Sequence, residues 1–525
     1  LDTVALGWPD VLRRYPKPGV LEARLAKLHG IEPAQVLVTA GGDDAIDRLC
    51  KAVLEVGREL VLPLPGFEMI GRYAELAGGS VRTVAWPDGP WPREAVLAGA
   101  GPHTALVAMV SPNNPTGGVV TAEDLRAVSA ALPGAVILLD HAYVEFAEVD
   151  LTALALSLPN VVVVRTFSKA WGLAGLRVGY AVGPEALIGW LRVCGAPYAV
   201  SGPSLAMVLA RLDLPTGDLH SYLKVVGQER AALNALLTAQ GAQVVEGQGN
   251  FAFAQVPDAL WLRDACAGLG IGVRAWPNKP ALQSAVRITC PGDPQAMTRV
   301  RHAVHTALAP EALLLDMDGV IADVRQSYRQ AILHTTAHYG LPLTPEDVVR
   351  AKSGGNANND WVLVQRMLAE AGIEVDLEAV TDTYETAYNG GLWQNDTLIH
   401  PRSYFEALAK KTRIAVVTGR PHRDADRFLA QFGFEGVFET IVCMEDATMK
   451  PNPAPVRLAM ERLGITRAWM VGDTPDDISA ARGAGVIPIG IVAPGEHRAM
   501  VGPPMIRAGA ARVVHTLDEI VALLP

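Results

Sequence analysis

The sequence predicts two α/β domains in series, each built on a mostly parallel sheet with helices against its faces. Three observations predict this. The chain has 525 residues, well beyond the roughly 250–300 at which a single hydrophobic core stops growing. Short apolar runs alternate with helical stretches throughout. The runs are continuous rather than alternating with polar residues, as strands covered on both faces must be. The rhythm also restarts: a helical stretch ends at Pro310, and a fresh apolar run opens at Ala312. The main boundary therefore falls near 310, with domains over 1–308 and 311–525.

In order along the chain, strands are expected at 36–39, 105–110, 135–139 and 161–165, with helices at 44–54 and 123–131. Beyond residue 200 the pattern changes to one long helix at 222–240 and short strands at 251–255, 272–273 and 285–289. That describes a smaller α+β lobe closing the first domain. In the second domain, strands are expected at 312–315, 414–417, 440–442 and 468–471. The helix-rich stretch 324–407 is too long for a simple crossover and reads as an inserted helical cap.

Composition bounds the function. Apolar residues make up 50%, charged residues 19%, and the net charge is −10 with no basic run, so a nucleic-acid partner is not expected. The five cysteines (Cys50, Cys194, Cys266, Cys290 and Cys443) form no CxxC pair, which argues against a disulfide scaffold or a thiolate zinc site. A reducing, cytoplasmic setting is expected. No apolar run reaches the roughly 18 residues of a membrane span, and no signal-type segment opens the chain.

Lys169 follows the apolar run at 161–165, and a lysine leaving a strand end in an open sheet stands where ligands bind. Two polar insertions follow buried runs in the same way: Asp140 in LLDHAY, and SPNNPTG from Ser111. Asp140 as a helix cap and Asn113–Gly117 as a plain turn are the structural alternatives. One chemistry unites the set. A lysine amine condenses with an aldehyde cofactor such as pyridoxal 5'-phosphate, which also needs an acid at its ring nitrogen. Asp140 can be that acid, and Asn114 and Tyr143 can bind the ring's phenolic oxygen. Ser168, Arg177 and the Gly42–Asp43 amides at a helix start can hold the phosphate, while Phe67 can cover the ring.

These residues resemble fold-type I, class I/II aminotransferases, and within them the histidinol-phosphate aminotransferase family. The resemblance covers about residues 1–305. It is carried by RYP at 14–16, AGGDDAI at 40–46, PGF at 65–67, SPNNPTGG at 111–118, DHAY at 140–143, TFSKAWGLAGLRVGY at 166–180 and VRIT at 286–289. It implies that Lys169 bonds the cofactor aldehyde and carries the proton. Asp140 then pairs with the ring nitrogen, and Gly42, Asp43, Ser168 and Arg177 bind phosphate. Tyr15 would reach that phosphate from a neighbouring subunit of a homodimer. Arg287 and Arg274 would bind substrate. His141 stands where the family has Glu; it is expected to pack rather than touch the cofactor.

In the second domain, Asp316 and Asp318 end the run ALLLDMDGV. The first can attack phosphorus, and the second can protonate the leaving oxygen and then activate water. Thr418 after IAVVTGR can hold phosphate oxygens, and Lys450 in MKPNP can offset charge. Asp473 in WMVGDTPDD, with Asp477 nearby, offers the oxygen ligands that Mg²⁺ prefers. The four motifs, in this order, resemble the haloacid dehalogenase superfamily, specifically phosphatases with a cap inserted after the first motif. That resemblance implies Asp316 as nucleophile, Asp318 as acid/base, and Mg²⁺ held by Asp316, Asp473 and the Asp318 carbonyl with Asp477 in support. The cap stretch SGGNANND at 353–360, with Asn356, Asn358 and Asn359, is either a substrate contact or a surface loop. His422 and Arg423 are either substrate contacts or a solvated helix start.

The order of the two domains suggests successive steps on small phosphorylated molecules. The first would be transamination of histidinol phosphate with 2-oxoglutarate and glutamate, and the second its dephosphorylation. The alternatives are a decarboxylase or another phospho-amino-acid aminotransferase joined to a different phosphatase or phosphomutase, or one degenerate domain serving assembly.

Overall fold

A computed structural model describes residues 10–525. Its contacts divide the chain into two compact units, Leu1–Pro257 with Ala275–Met297, and Asp258–Arg274 with Thr298–Pro525.

In the first unit, strands β1 (Val36–Thr39), β2 (Glu59–Leu64), β3 (Ser80–Ala85), β4 (Thr104–Val110), β5 (Val136–Asp140), β6 (Val161–Thr166) and β7 (Gly179–Val182) form one sheet in the order β1-β7-β6-β5-β4-β2-β3. Neighbours pair in parallel except at β7, which runs antiparallel to both β1 and β6. The continuous apolar runs follow from burial on both faces. Val107, Met109, Ile137, Leu139, Val161 and Val163 enter one core, and Leu106, Ala108, Leu138, Val162 and Val164 the other. Alternation along each strand sends neighbours to opposite faces.

A buried side-chain knot ties the strand ends to a flanking helix. Asn160 donates through Nδ2 to the carbonyls of Leu132 (3.1 Å) and Ala135 (2.9 Å), and its Oδ1 accepts from Ser129 Oγ (2.6 Å). The smaller lobe carries β8 (Gln243–Val245), β9 (Phe251–Gln255), β10 (Arg274–Ala275) and β11 (Ala285–Thr289) in the order β10-β11-β9-β8, beside the long helix Gly217–Ala239. The strand expected at 272–273 lies two residues later. The preceding GLGIG segment is glycine-rich, and glycine weakens strand pairing.

The second unit contains β12 (Ala312–Leu315), β13 (Ala322–Asp323), β14 (Thr397–Leu398), β15 (Arg413–Val417), β16 (Ile441–Val442), β17 (Ala468–Gly472), β18 (Ile487–Ile491) and β19 (Arg512–Val514). Six form a parallel sheet, β16-β15-β12-β17-β18-β19. Neither β18 nor β19 was expected from the sequence. Pro488 and Gly490 punctuate the first, and the second is only three residues long. The chain leaves and re-enters this core through the antiparallel ribbon β13–β14. Between the ribbon strands lie four helices, Tyr328–His338, Pro345–Ser353, Asp360–Glu370 and Leu377–Asn389. The helix Arg402–Lys411, whose first half the sequence reading gave to the cap, packs on β15 instead. This unit also includes the helix Ala259–Gly268. There Trp261 meets Trp469 edge to face at 4.5 Å, and the two indole N–H groups donate to the carbonyls of Ala307 (3.1 Å) and Thr306 (2.7 Å).

Replacing Asn160 with Ala leaves the Ala135 carbonyl and the Ser129 hydroxyl without their side-chain partner, while the Leu132 carbonyl keeps the Ala135 N–H. The expected loss is about 1–3 kcal/mol, read as a lower unfolding midpoint of the first unit, whereas an unchanged midpoint would contradict the buried knot.

Candidate functional site

Two cavities collect the chemistry-bearing residues, one in each unit. In the first unit a cavity of about 270 Å³ opens at the carboxyl ends of β4, β5 and β6. Gly42, Asp43, Phe67, Asn114, Asp140, Tyr143, Ser168, Lys169 and Arg177 all line it. All nine are expected from the sequence, in five separate segments. Lys169 Nζ lies 5.1 Å from the centroid of the Tyr143 ring.

Asp140 is buried at the last position of β5, and its Oδ1 accepts the Ala142 N–H at 3.0 Å. Burial pushes its carboxyl up to about 6, against that hydrogen bond and the pull of Lys169, with Asp43 adding to the rise. A buried acid so poised is suited to a cationic partner. The helix Gly41–Val53 starts at the cavity, with Gly42 and Asp43 of its first turn in the wall. Arg177 donates to Asp43 (3.2 Å) and to Ser168 Oγ (3.4 Å), and Thr166 Oγ1 donates to Ser168 Oγ (2.9 Å). Gly41 has φ +84, and a Cβ there would lie 2.6 Å from Arg177 Nη2, so glycine is what lets the guanidinium lie across the helix start. A helix N-terminus with an arginine and a hydroxyl beside it forms an anion cradle.

Other expected residues stand further off. Arg287 on β11 donates to Asn114 Oδ1 and lies 5.1 Å from the Phe251 ring centroid, one residue removed from the cavity wall. Arg274 is exposed and lines neither of the two cavities. Tyr15 is 76% exposed and stacks on Tyr198 at 4.6 Å, away from the cavity. His141 is buried outside the cavity wall, with Nδ1 3.4 Å from Thr152 Oγ1 and 3.6 Å from Asp150. Asp150 is in turn paired with Arg165 at 2.8 Å.

In the second unit, Asp316 leaves the central strand β12, Thr418 leaves β15 and Asp473 leaves β17. Oxygens of Asp316, Asp473 and Asp477 lie within 4.8 Å of one another, and all three residues are buried. Lys450 Nζ donates to Asp316 Oδ1 (2.7 Å), to Asp477 Oδ1 (2.5 Å) and to the Val417 carbonyl (3.0 Å). Burial alone would lower the lysine's affinity for its proton, but Asp316 and Asp477 hold it above the ordinary value. Asp316 is raised to about 7 by burial, with Lys450 opposing and Asp477 and Asp318 adding to the rise. Asp473 is driven well above the ordinary range by burial, with Glu496, Asp477 and Asp316 adding to it. The site therefore holds more negative charge than its cations offset, which fits a hard divalent cation. Asp477 has little to offer an ion directly, because its Oδ2 caps its own helix through the Thr474 N–H (3.1 Å) and hydroxyl (2.6 Å). Gly319 has φ +76, and a Cβ there would lie 2.3 Å from Asp473 Oδ2; the exit after Asp318 needs glycine.

The Asp318 carboxylate turns to Arg420, whose Nε donates to it at 2.7 Å. Sequence reading missed Arg420, though it stands in the quoted TGR. It also missed Arg329, which pairs with Glu496 at 3.1 Å and lies 3.8 Å from Asp473. The cap segment at 353–360 does reach the cavity. Asn358, Asn359 and Asp360 line it with Tyr328, Tyr384 and Trp361. Asp476 anchors that segment by accepting the N–H groups of Asn356 (2.8 Å) and Ala357 (2.7 Å). Asn359 also caps the helix Asp360–Glu370. His422 pairs with Asp446 at 3.1 Å and Arg423 with Glu385 at 2.6 Å; neither lines the cavity.

The family model for aminotransferase class I and II matches residues 11–304, and that for haloacid dehalogenase-like hydrolase matches residues 313–491. Both are families of enzymes. An imidazoleglycerol-phosphate dehydratase of Phytophthora nicotianae is 40% identical over 237 residues, 41% of this chain and 52% of that relative. The chain thus spans about half the length of that protein. A histidinol-phosphate aminotransferase of Halorubrum lacusprofundi is 36% identical over 273 residues, 50% of this chain and 73% of the relative. The solved histidinol-phosphate aminotransferase of Sinorhizobium meliloti, in complex with pyridoxal-5'-phosphate, superposes with a TM-score of 0.53 at 25% identity, covering 58% of this chain and 86% of that one. Among the described residues no helix is long and apolar enough to cross a membrane.

His141 supplies a pH test. Burial, with a further push from Arg165 against the pull of Asp150, lowers its ring from 6.5 to about 3. The unfolded chain therefore binds a proton that the native state refuses, so this group's contribution to stability falls as pH drops from about 6.5 toward 3. His141→Asn is expected to flatten the dependence of the urea midpoint on pH in that window, by about one proton's worth of slope. An unchanged slope would contradict a neutral buried His141.

Proposed function

Because the chain belongs to the class I and II aminotransferases, we propose that its first unit is a pyridoxal-phosphate-dependent aminotransferase. Its proposed substrate pair is histidinol phosphate with 2-oxoglutarate, and its second unit is proposed to be a Mg²⁺-dependent phosphatase that removes the phosphate from the same compound. The observation that carries the first half is the shared cavity of Lys169, Asp140 and the anion cradle at Gly42, Asp43, Ser168 and Arg177. The donor set fits the cofactor. Bound pyridoxal phosphate would supply an aldehyde for the lysine amine and a ring that withdraws electrons from the substrate's α-carbon.

The chain's own residues do the rest. The helix amides with Ser168 and Arg177 bind the phosphate, and Asp140 places a buried negative charge against a ring nitrogen. Arg287 pins the Asn114 amide through Oδ1, and Asn114 lines the cavity together with Tyr143. Lys169 Nζ takes the proton from the substrate's α-carbon and returns it on the far side of the exchange. Tyr15, exposed at the surface of a single chain, fits a homodimer in which each protomer's Tyr15 reaches its partner's cavity.

In the second unit the surplus of buried carboxylate fits Mg²⁺, which would be held by Asp316 and Asp473 and would offset charge on the phosphoryl oxygens. An Asp316 oxygen attacks phosphorus and the ester oxygen leaves with a proton from Asp318. Water activated by Asp318 then cleaves the aspartyl-phosphate. Lys450 and the Thr418 hydroxyl balance and bind the transferring group. Run toward amination with glutamate as donor, the first unit would yield a phosphorylated amino alcohol that the second unit consumes, and the likeness to histidinol-phosphate aminotransferases supports histidinol phosphate as that compound.

Assays on the full chain separate the halves. Lys169→Ala should lose Schiff-base absorbance and 2-oxoglutarate-dependent amine transfer while keeping Mg²⁺-dependent phosphate release. Asp316→Asn should do the reverse. Histidinol phosphate should be hydrolysed with a kcat/KM at least ~10-fold above that for sugar phosphates; equal or better rates on sugar phosphates would sink the substrate assignment.

A further inference from the structure

Asp318 is held by a buried charge relay that links it to the base of the cap. Arg420 is only 2% exposed, with its guanidinium carbon 4.7 Å from the Tyr328 ring centroid and 4.9 Å from that of Phe428. Nε donates to Asp318 Oδ1 at 2.7 Å and Nη1 to Asp396 Oδ2 at 2.9 Å. The other Asp396 oxygen accepts the Ser327 hydroxyl, and the Arg420 N–H donates to Thr418 Oγ1 at 3.1 Å. Nη2 is buried without a hydrogen-bond partner, in a residue that lines the cavity with Asp316 and Asp318.

Each partner stands at a significant place in the fold. Ser327 immediately precedes the first cap helix and Asp396 immediately precedes β14, so the two mark the chain's exit from the core and its return. Burying a guanidinium is costly unless its charge and donors are met. Two carboxylates and two aromatic faces meet it here, so its position is determined from both the core and the cap side. A buried donor without a partner, at the wall of a cavity, marks where a ligand oxygen completes the set.

We propose that Arg420 is the positioning residue for Asp318: anchored by Asp396 at the cap base, it aims the acid/base carboxylate at the leaving oxygen, and its Nη2 donates to an oxygen of the bound phosphate ester. This rests on the phosphatase reading above. In the first step the Asp316–phosphorus bond forms, the phosphorus–ester oxygen bond breaks, and the Asp318 proton passes to that oxygen. In the second, water oxygen bonds to phosphorus, its proton returns to Asp318, and the phosphorus–Asp316 bond breaks. Arg420 takes no proton in either step. Because its grip on Asp318 depends on Asp396, proton transfer is coupled to the seating of the cap base.

The test compares a poor and a good leaving group on the full chain with Mg²⁺. For Arg420→Met, kcat on an alkyl phosphomonoester should fall ~10²-fold, the scale of lost general acid–base catalysis, with KM changed far less. The initial burst of nitrophenolate from 4-nitrophenyl phosphate should survive, because that leaving oxygen needs no proton, while steady turnover falls. Asp396→Asn should give the same split in weaker form, and it carries the test if Arg420→Met does not fold. A burst lost in proportion to the alkyl rate, or an unchanged alkyl kcat, would overturn the proposal. Mg²⁺-dependent turnover surviving in Asp316→Asn would instead remove the phosphatase reading itself.

Discussion

Parallel strands buried on both faces can present chemistry only where they end, and both sites in this chain obey that constraint. In the first unit β4, β5 and β6 run through the two apolar cores; Asp140 ends β5, and Asn114 and Lys169 follow β4 and β6. In the second, Asp316, Thr418 and Asp473 follow three neighbouring strands, β12, β15 and β17. The apolar strands hold the backbone rigid, so the polar groups that follow are positioned without needing a large polar scaffold of their own.

The two sites handle buried charge differently. The first holds one fully buried acid, Asp140, with burial pushing its proton affinity up; a cationic ring nitrogen would answer that cost directly. The second gathers three buried carboxylates around Lys450. Burial raises the proton affinities of Asp316 and Asp473, and the neighbouring carboxylates add to the rise beyond what Lys450 and Arg329 offset. Chemistry on a phosphoryl group benefits from such a site, because a divalent cation and the lysine together stabilise the charge that builds on its oxygens.

Residues that follow a buried strand directly were legible in the sequence, because the contrast between an apolar run and a sudden polar insertion is local. Lys169, Asp140, Asp316 and Asp473 all carry that signal. Arg420 does not. Two residues past Thr418, it reads as an ordinary surface arginine, and only its placement between Tyr328 and Phe428, bonded to Asp318 and Asp396, reveals its surroundings. Arg329 was hidden for the same reason, since its partners Glu496 and Asp473 are remote in sequence. Strands β18 and β19 were missed because Pro488, Gly490 and short length erase the apolar run that identifies a strand.

The sequence by itself determined the two-part α/β plan, the cofactor-type lysine cluster and the ordered aspartate motifs, because each depends on residue type and short spacing. Only the tertiary structure decided which of those residues share a cavity. It left Arg274 and Tyr15 outside the first cavity and buried His141 beside Thr152 and Asp150. It brought the 353–360 segment against the second cavity through Asp476. The reason is physical: strand order and the packing of the cap join residues tens to more than a hundred positions apart, and no local pattern of hydrophobicity encodes such distances.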